Sequence, residues 1–234
     1  MYRSLDASKI IDTAQSLRIR ISERFPDSGL SKVADELLLE SRAAAVTAAW
    51  LAAPLVWIRV LAWLGIAIVL VVTGATLLVM NRNVELFASV ADFFQGLDAA
   101  VNDVILLGVA IYFLLGLERR LKRTRAARAI HVLRSMAHII DMHQLTKDPD
   151  MLADARTDTP SSPTRQMSPF ELTRYLDYCS EMLAILSKIA ALYVQQFNDP
   201  VTLSAVNEVE DLTSGLSRKV WQKIMILDRM MSPR

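Results

Sequence analysis

Residues 60–80 read VLAWLGIAIVLVVTGATLLVM and contain no ionisable side chain. Coiled as an α-helix, such a run extends roughly 30 Å, about the thickness of a bilayer's hydrocarbon core. In lipid a helix satisfies its own backbone hydrogen bonds, so this stretch predicts a transmembrane helix. A second apolar run, 104–117, follows closely. Its charge-free core is about 21 Å of helix and too short to cross unaided. Extending it back to residue 97 gives a second span, 97–117, and brings Asp98, Asn102 and Asp103 towards the outer leaflet. Arg82 ends the first span, so an intramembrane Arg82–Asp103 pair is expected to accommodate part of that charge.

Hydrophobic residues make up 53% of the 234. The excess over an ordinary soluble domain is concentrated in these runs. The formal charge of +1 conceals a sharp segregation. Residues 118–134 carry seven Arg or Lys against the single Glu118, whereas residues 81–103 carry four acids against Arg82. Basic residues collect on the cytoplasmic flanks of spans. The basic run therefore places the 81–96 connection outside and both termini in the cytoplasm. The N-terminus lacks the charged, apolar and small-residue regions of a removable signal peptide, so the first span is expected to act as the uncleaved insertion signal. Arg59, Arg119, Arg120, Lys122, Arg123 and Arg125 are expected to meet anionic lipid headgroups, with Trp57 and Trp63 in the interfacial belt.

The flanking sequence is helical throughout. Ala7, Ile10, Ala14, Leu17 and Ile21 recur at spacings of 3 and 4, a single apolar stripe over residues 1–25. Residues 25–29, FPDSG, make a break, and Ser28 or Ser31 caps a second helix striped by Leu30, Val33, Leu37, Ala44, Ala48 and Leu51. Pro54 ends it before the membrane. In the connection, Leu86, Phe87, Val90, Phe93, Phe94 and Leu97 share a face that would lie flat on the outer surface. Beyond the second span a basic juxtamembrane helix, 118–145, carries the stripe Ala126, Ile130, Leu133, Ala137 and Ile140, continuous with the span or nearly so.

Residues 146–167 hold three prolines among small polar residues and read as a flexible linker. Ser168, Pro169 and Glu171 form a strong helix start. The helix that follows has a heptad seam, Leu172, Leu176, Cys179, Leu183, Leu186, Ala190, Tyr193 and Phe197. Asn198-Asp199-Pro200 turns the chain, with Asp199 as cap, into a last helix striped by Val209, Leu212, Leu216, Val220, Ile224, Leu227 and Met231. The short link predicts an antiparallel hairpin over 168–234.

Chemistry-bearing residues are sparse. His131, Ser135, His138, Asp141 and His143, with Asp148 and Asp150 beyond, form the most catalytic-looking patch. His138 and Asp141 share a helix face, but the three histidines do not converge at metal-ligand spacing, and no nucleophile sits on a strained turn. Cys179 lies on the apolar seam, where a thiol is buried and inert. The glycines make no phosphate-binding loop. The basic run has no interleaved aromatics, which argues against nucleic acid. The expected object is an all-α membrane protein: a two-helix transmembrane hairpin, a cytoplasmic helical bundle built from both termini (1–59 and 118–234), and no cofactor. Its expected setting is a bacterial inner membrane. Its expected role is non-enzymatic, a membrane-anchored scaffold that oligomerises or recruits a protein partner through helical faces. The alternative is an oligomeric channel lined by Asp98, Asn102 and Asp103.

Overall fold

The structure, a computed structural model, describes residues 4–82, 90–149, 167–195 and 197–231. Between 76 and 100 it describes the side chains of Leu78, Phe94 and Asp98 only. Six helices follow in order: α1 (Ala7–Arg24), α2 (Gly29–Ala52), α3 (Val56–Arg82), α4 (Val90–Leu145), α5 (Pro169–Val194) and α6 (Pro200–Met231). No strand occurs among the described residues. The chain divides into two compact units, Met1–Ala53 with Arg125–Arg234, and Pro54–Thr124.

The first unit is a helical bundle assembled around α5. Thirteen of the 26 residues of α5 are buried, because the helix has neighbours on several sides. α1 runs antiparallel to it. Leu5 and Gln195 exchange two hydrogen bonds at one end, and Arg20 pairs with Glu181 at 2.5 Å further along. α6 folds back on α5 after the Asp199 turn; the Asp199 carboxylate, itself fully buried, accepts from the Thr202 amide at 3.1 Å. α2 lies against α1, where Arg18 pairs with Asp35, and runs antiparallel to the end of α4. Gly29 sits under the His143 ring, and Trp50 stacks beneath the Arg125 guanidinium at 4.4 Å. A Cβ at Gly29 would overlap that imidazole, so the small residue opening α2 permits the approach. Arg134–Glu208 at 3.2 Å and Lys223 on the Gln144 carbonyl at 2.7 Å align α6 parallel to α4.

Most of the expected stripe residues are buried; on α6 Val209, Leu216, Val220 and Leu227 are, Leu212 and Ile224 are partly so, and Met231, past the bundle's cover near the helix end, is exposed. Ile10, Ala14, Leu17 and Ile21 of α1, Leu30, Val33, Leu37, Ala44 and Leu51 of α2, and Ala126, Ile130, Leu133, Ala137 and Ile140 of α4 all enter one core. Local chemistry sets the boundaries. Ser28 caps α2 through the Ser31 amide, and Asp27 supplies the left-handed residue of the turn at φ 56°. Ser168 and Glu171 close a reciprocal capping box with Pro169 in the first turn. The heptad seam of α5 is buried too, but as part of a wider surface: Tyr175, Tyr178, Met182, Ile185, Ile189 and Leu192 are also enclosed. That seam is thus used inside the bundle and is not left open as a coiled-coil face.

In the second unit, two helices are long and apolar enough to cross a membrane. Their outward side chains are large and apolar: Trp57, Trp63, Ile68 and Val71 on α3, and Val104, Leu106, Val109 and Tyr112 on α4 are all exposed. Water would penalise such a surface at ~25 cal/mol per Å² of apolar area, whereas hydrocarbon would not. Toward one end Leu55, Ile58, Ala62 and Ile66 are buried, and Gly65 faces Leu114, whose Cδ1 would lie 3.2 Å from an added Cβ. Small residues here let the two helices approach closely. The 81–96 connection falls largely on residues outside those described, and α4 has begun by Val90.

Candidate functional site

Among the described residues of the second unit, the densest charged contact is organised by Glu118. Its carboxylate accepts from Arg59 Nε at 2.6 Å, from Arg59 Nη2 at 3.3 Å and from the Leu55 amide at 3.2 Å. Lys122 Nζ, one turn on along α4, lies 3.1 Å away. Leu55 immediately precedes α3, so the Glu118 carboxylate sits at that helix's N-terminus, where backbone N–H groups lack helical partners and the helix dipole favours an anion. Glu118 thereby caps one helix from another. Its side chain is 16% exposed, that of Lys122 is 8% and that of Arg59 is 57%. The Arg59 hydrogen bonds, the Leu55 amide and Lys122 outweigh desolvation and hold the Glu118 carboxyl well below the ordinary glutamate value.

This geometry revises the roles expected of two of the basic residues. Lys122 is buried at 7% and engaged with Glu118, so its ammonium is not presented to headgroups. Arg59 keeps an exposed side chain but spends its guanidinium on Glu118. Arg119 is exposed. Arg120 is exposed and lies over the Phe113 ring at 4.6 Å, a cation–π contact. Arg123 is half-buried. Arg125 is exposed above Trp50. Asp103 is exposed, and the side chain of Arg82 lies outside those described, as does the proposed pair. Glu118 is the residue that sequence reasoning missed. The signal available was a lone acid opening a basic run, four residues before a lysine.

The histidine patch separates on the structure. His131 and His138 are exposed, and the Ser135 hydroxyl donates to the His131 carbonyl at 3.0 Å. Asp141 accepts from Gln144 Nε2 at 2.6 Å. His143 turns to Gly29, and its carbonyl accepts from the Tyr175 hydroxyl at 3.4 Å. These contacts finish the C-terminal turn of α4, where the Lys223 ammonium meets the carbonyl end of the helix dipole. Burial draws the Lys223 pKa below the ordinary lysine value, against the pull of Asp148 and Asp141. Asp150 lies outside the described residues. Among the described residues no three His, Cys, Asp or Glu side chains are placed to hold a metal ion. Cys179 is fully buried, and burial pushes its thiol up to about 12.

An open cleft of about 700 Å³ lies between the start of α1 and the middle of α5, floored by Leu5, Ile10 and Ile185. Its rim mixes Asp6 and Glu181 with Lys9 and Lys188, so it presents no single charge to a ligand. Compared with family models, with curated proteins and with solved structures, the chain gives no match in any of the three.

Proposed function

We propose that this chain is a membrane-anchored helical interaction module. In this reading α3 and the 97–117 part of α4 cross a bacterial inner membrane as a hairpin, and both chain ends lie in the cytoplasm. The basic run after the second span supports that orientation, with the exposed Arg119, Arg120 and Arg125 near anionic headgroups. The observation that carries the role is the outer surface of the bundle. Leu39 and Val46 on α2, Val132, Ile139 and Met142 on α4, and Trp221 and Met225 on α6 are all exposed, although the heptad seam from Leu172 to Tyr193 is used inside. Large apolar side chains on the outer faces of three helices offer contact area to a protein partner or another copy of the chain.

Thiol labelling in intact membranes tests it. Cys179 is the only cysteine and is buried, so single cysteines introduced at Leu39, Val46, Ile139 or Met225 report alone. An interaction face is slower to label by at least about tenfold in native membranes than in dilute detergent solution. Equal rates at every site would refute the module. The channel reading draws on the exposure of Asp98, Asn102 and Asp103 along α4. A planar-bilayer current altered by Asp103→Asn would favour it.

A further inference from the structure

α6 has a second ordered face besides the one it buries. Asn207, Asp211, Ser214, Arg218, Gln222 and Met225 are all exposed and recur at spacings of 4, 3, 4, 4 and 3, a single stripe opposite the core. The helix is also sorted by charge. Residues 200–217 hold three acids and no base, while residues 218–231 hold four bases and one acid. The acids lie beyond the first turn, where a helix dipole would account for them. Neither Asp211 nor Arg218 has an ion-pair partner among the described residues. Between the halves sits Gly215, where an added Cβ would meet nothing within 4 Å. Glycine weakens a helix interior, and no described residue comes close enough to require one at this position.

We propose that α6 pairs with α6 of a second copy, antiparallel, about a two-fold axis at Ser214 and Gly215. This inference rests on the interaction-module reading and names its partner. Asp211 stands three residues before Ser214 and Arg218 three after Gly215, so the axis sets each Asp211 opposite the other copy's Arg218. The same axis sets Asn207 opposite Gln222 and brings the exposed Leu203 level with Met225 and Ile226. A parallel pair would put acid on acid and base on base. An anionic lipid surface would attract one half of the stripe and repel the other. Reversed self-pairing matches both halves, and Gly215 at the centre allows close approach of the two backbones.

The test is the protein mass of the full chain in detergent micelles, measured by light scattering over a concentration series, with circular dichroism as the fold control. The wild type self-associates. Asp211→Lys and Arg218→Glu each weaken association by about tenfold, because two attractions per dimer become repulsions, and the double variant recovers it. Gly215→Leu raises the melting temperature of the chain, since leucine is the better helix former, yet abolishes pairing. An oligomer that ignores all four variants overturns the α6 face while leaving the interaction-module reading standing. A wild-type monomer at every concentration also overturns the α6 pairing; the module reading then stands or falls separately on protection from thiol labelling in membranes.

Discussion

Replacing Glu118 with Gln keeps the side chain's size and removes its charge. Lys122, with 8% of its side chain exposed, then holds an enclosed ammonium with no counter-charge, and the Leu55 amide loses a charged acceptor. Breaking a buried pair by deleting one partner costs ~3–5 kcal/mol. Two features reduce that here: Arg59 is 57% exposed and regains water, and a lysine stem can carry its head outward. The expected loss is ~2–3 kcal/mol, well above the ~0.5 kcal/mol of an ordinary surface change. Unfolding in mixed detergent micelles, followed by far-ultraviolet circular dichroism, measures it. Adding Lys122→Met to Glu118→Gln should recover at least ~1 kcal/mol, because no enclosed charge then remains unpaired. Acid provides the second check. The folded Glu118 carboxyl is depressed to about 2 from an ordinary 4.5. Its contribution is therefore fully present above pH 4.5 and lost as pH falls from 4.5 towards 2. The stability difference between wild type and Glu118→Gln should shrink across that window. A variant within ~0.5 kcal/mol of wild type, or a difference flat with pH, would refute the assignment.

Three further outcomes follow from the described contacts. Cys179 should resist maleimide at pH 8 in the folded chain and react within minutes once the chain is unfolded, since its thiol is fully buried and raised to about 12. Asp199→Ala should cost ~1–2 kcal/mol and Ser168→Ala ~1 kcal/mol in chemical denaturation, the buried cap losing more than the exposed one. Gly65→Ala should be close to neutral, because the end of Leu114 can yield a few tenths of an ångström, whereas Gly65→Leu should cost ~1–3 kcal/mol by overpacking the α3–α4 contact in micelle unfolding.

What could be read without coordinates follows the range of each interaction. Caps act over three residues, so Ser28, Ser168 and Asp199 were visible as helix starts, and each is bonded as its spacing implies. Stripes act over one helix, so the buried faces of α1 and α2 and of the C-terminal part of α4 were legible too. Periodicity states which side of a helix avoids water, however, and not how many neighbours provide the cover. The α5 seam therefore read as a two-helix contact, although Tyr178, Ile185 and Ile189 beside it are equally buried. The Arg59–Glu118 contact was invisible for a different reason. Its partners stand 59 positions apart, and charge counting set Glu118 aside as one acid among seven bases.

Exposed apolar area carries different meanings in the two units, and the pattern of charge around it separates them. On α3 the large side chains Trp57, Leu61, Trp63, Leu64 and Ile68 are exposed, and no ionisable residue interrupts the helix between Arg59 and Arg82. A surface of that kind has no polar rim and matches a solvent that is itself apolar. Trp221, Met225 and Ile226 on α6 are exposed as well, but Arg218, Lys219, Lys223 and Arg229 alternate with them within three turns. Hydrocarbon would penalise those charges by several kcal/mol each unless they reached the interface, and water would penalise the tryptophan. Another protein surface, apolar at its centre and bearing the opposite charge beside it, satisfies both. In the α6 pairing proposed above, the first half of α6, which carries the exposed Leu203 and the acids Glu208, Glu210 and Asp211, would supply that surface.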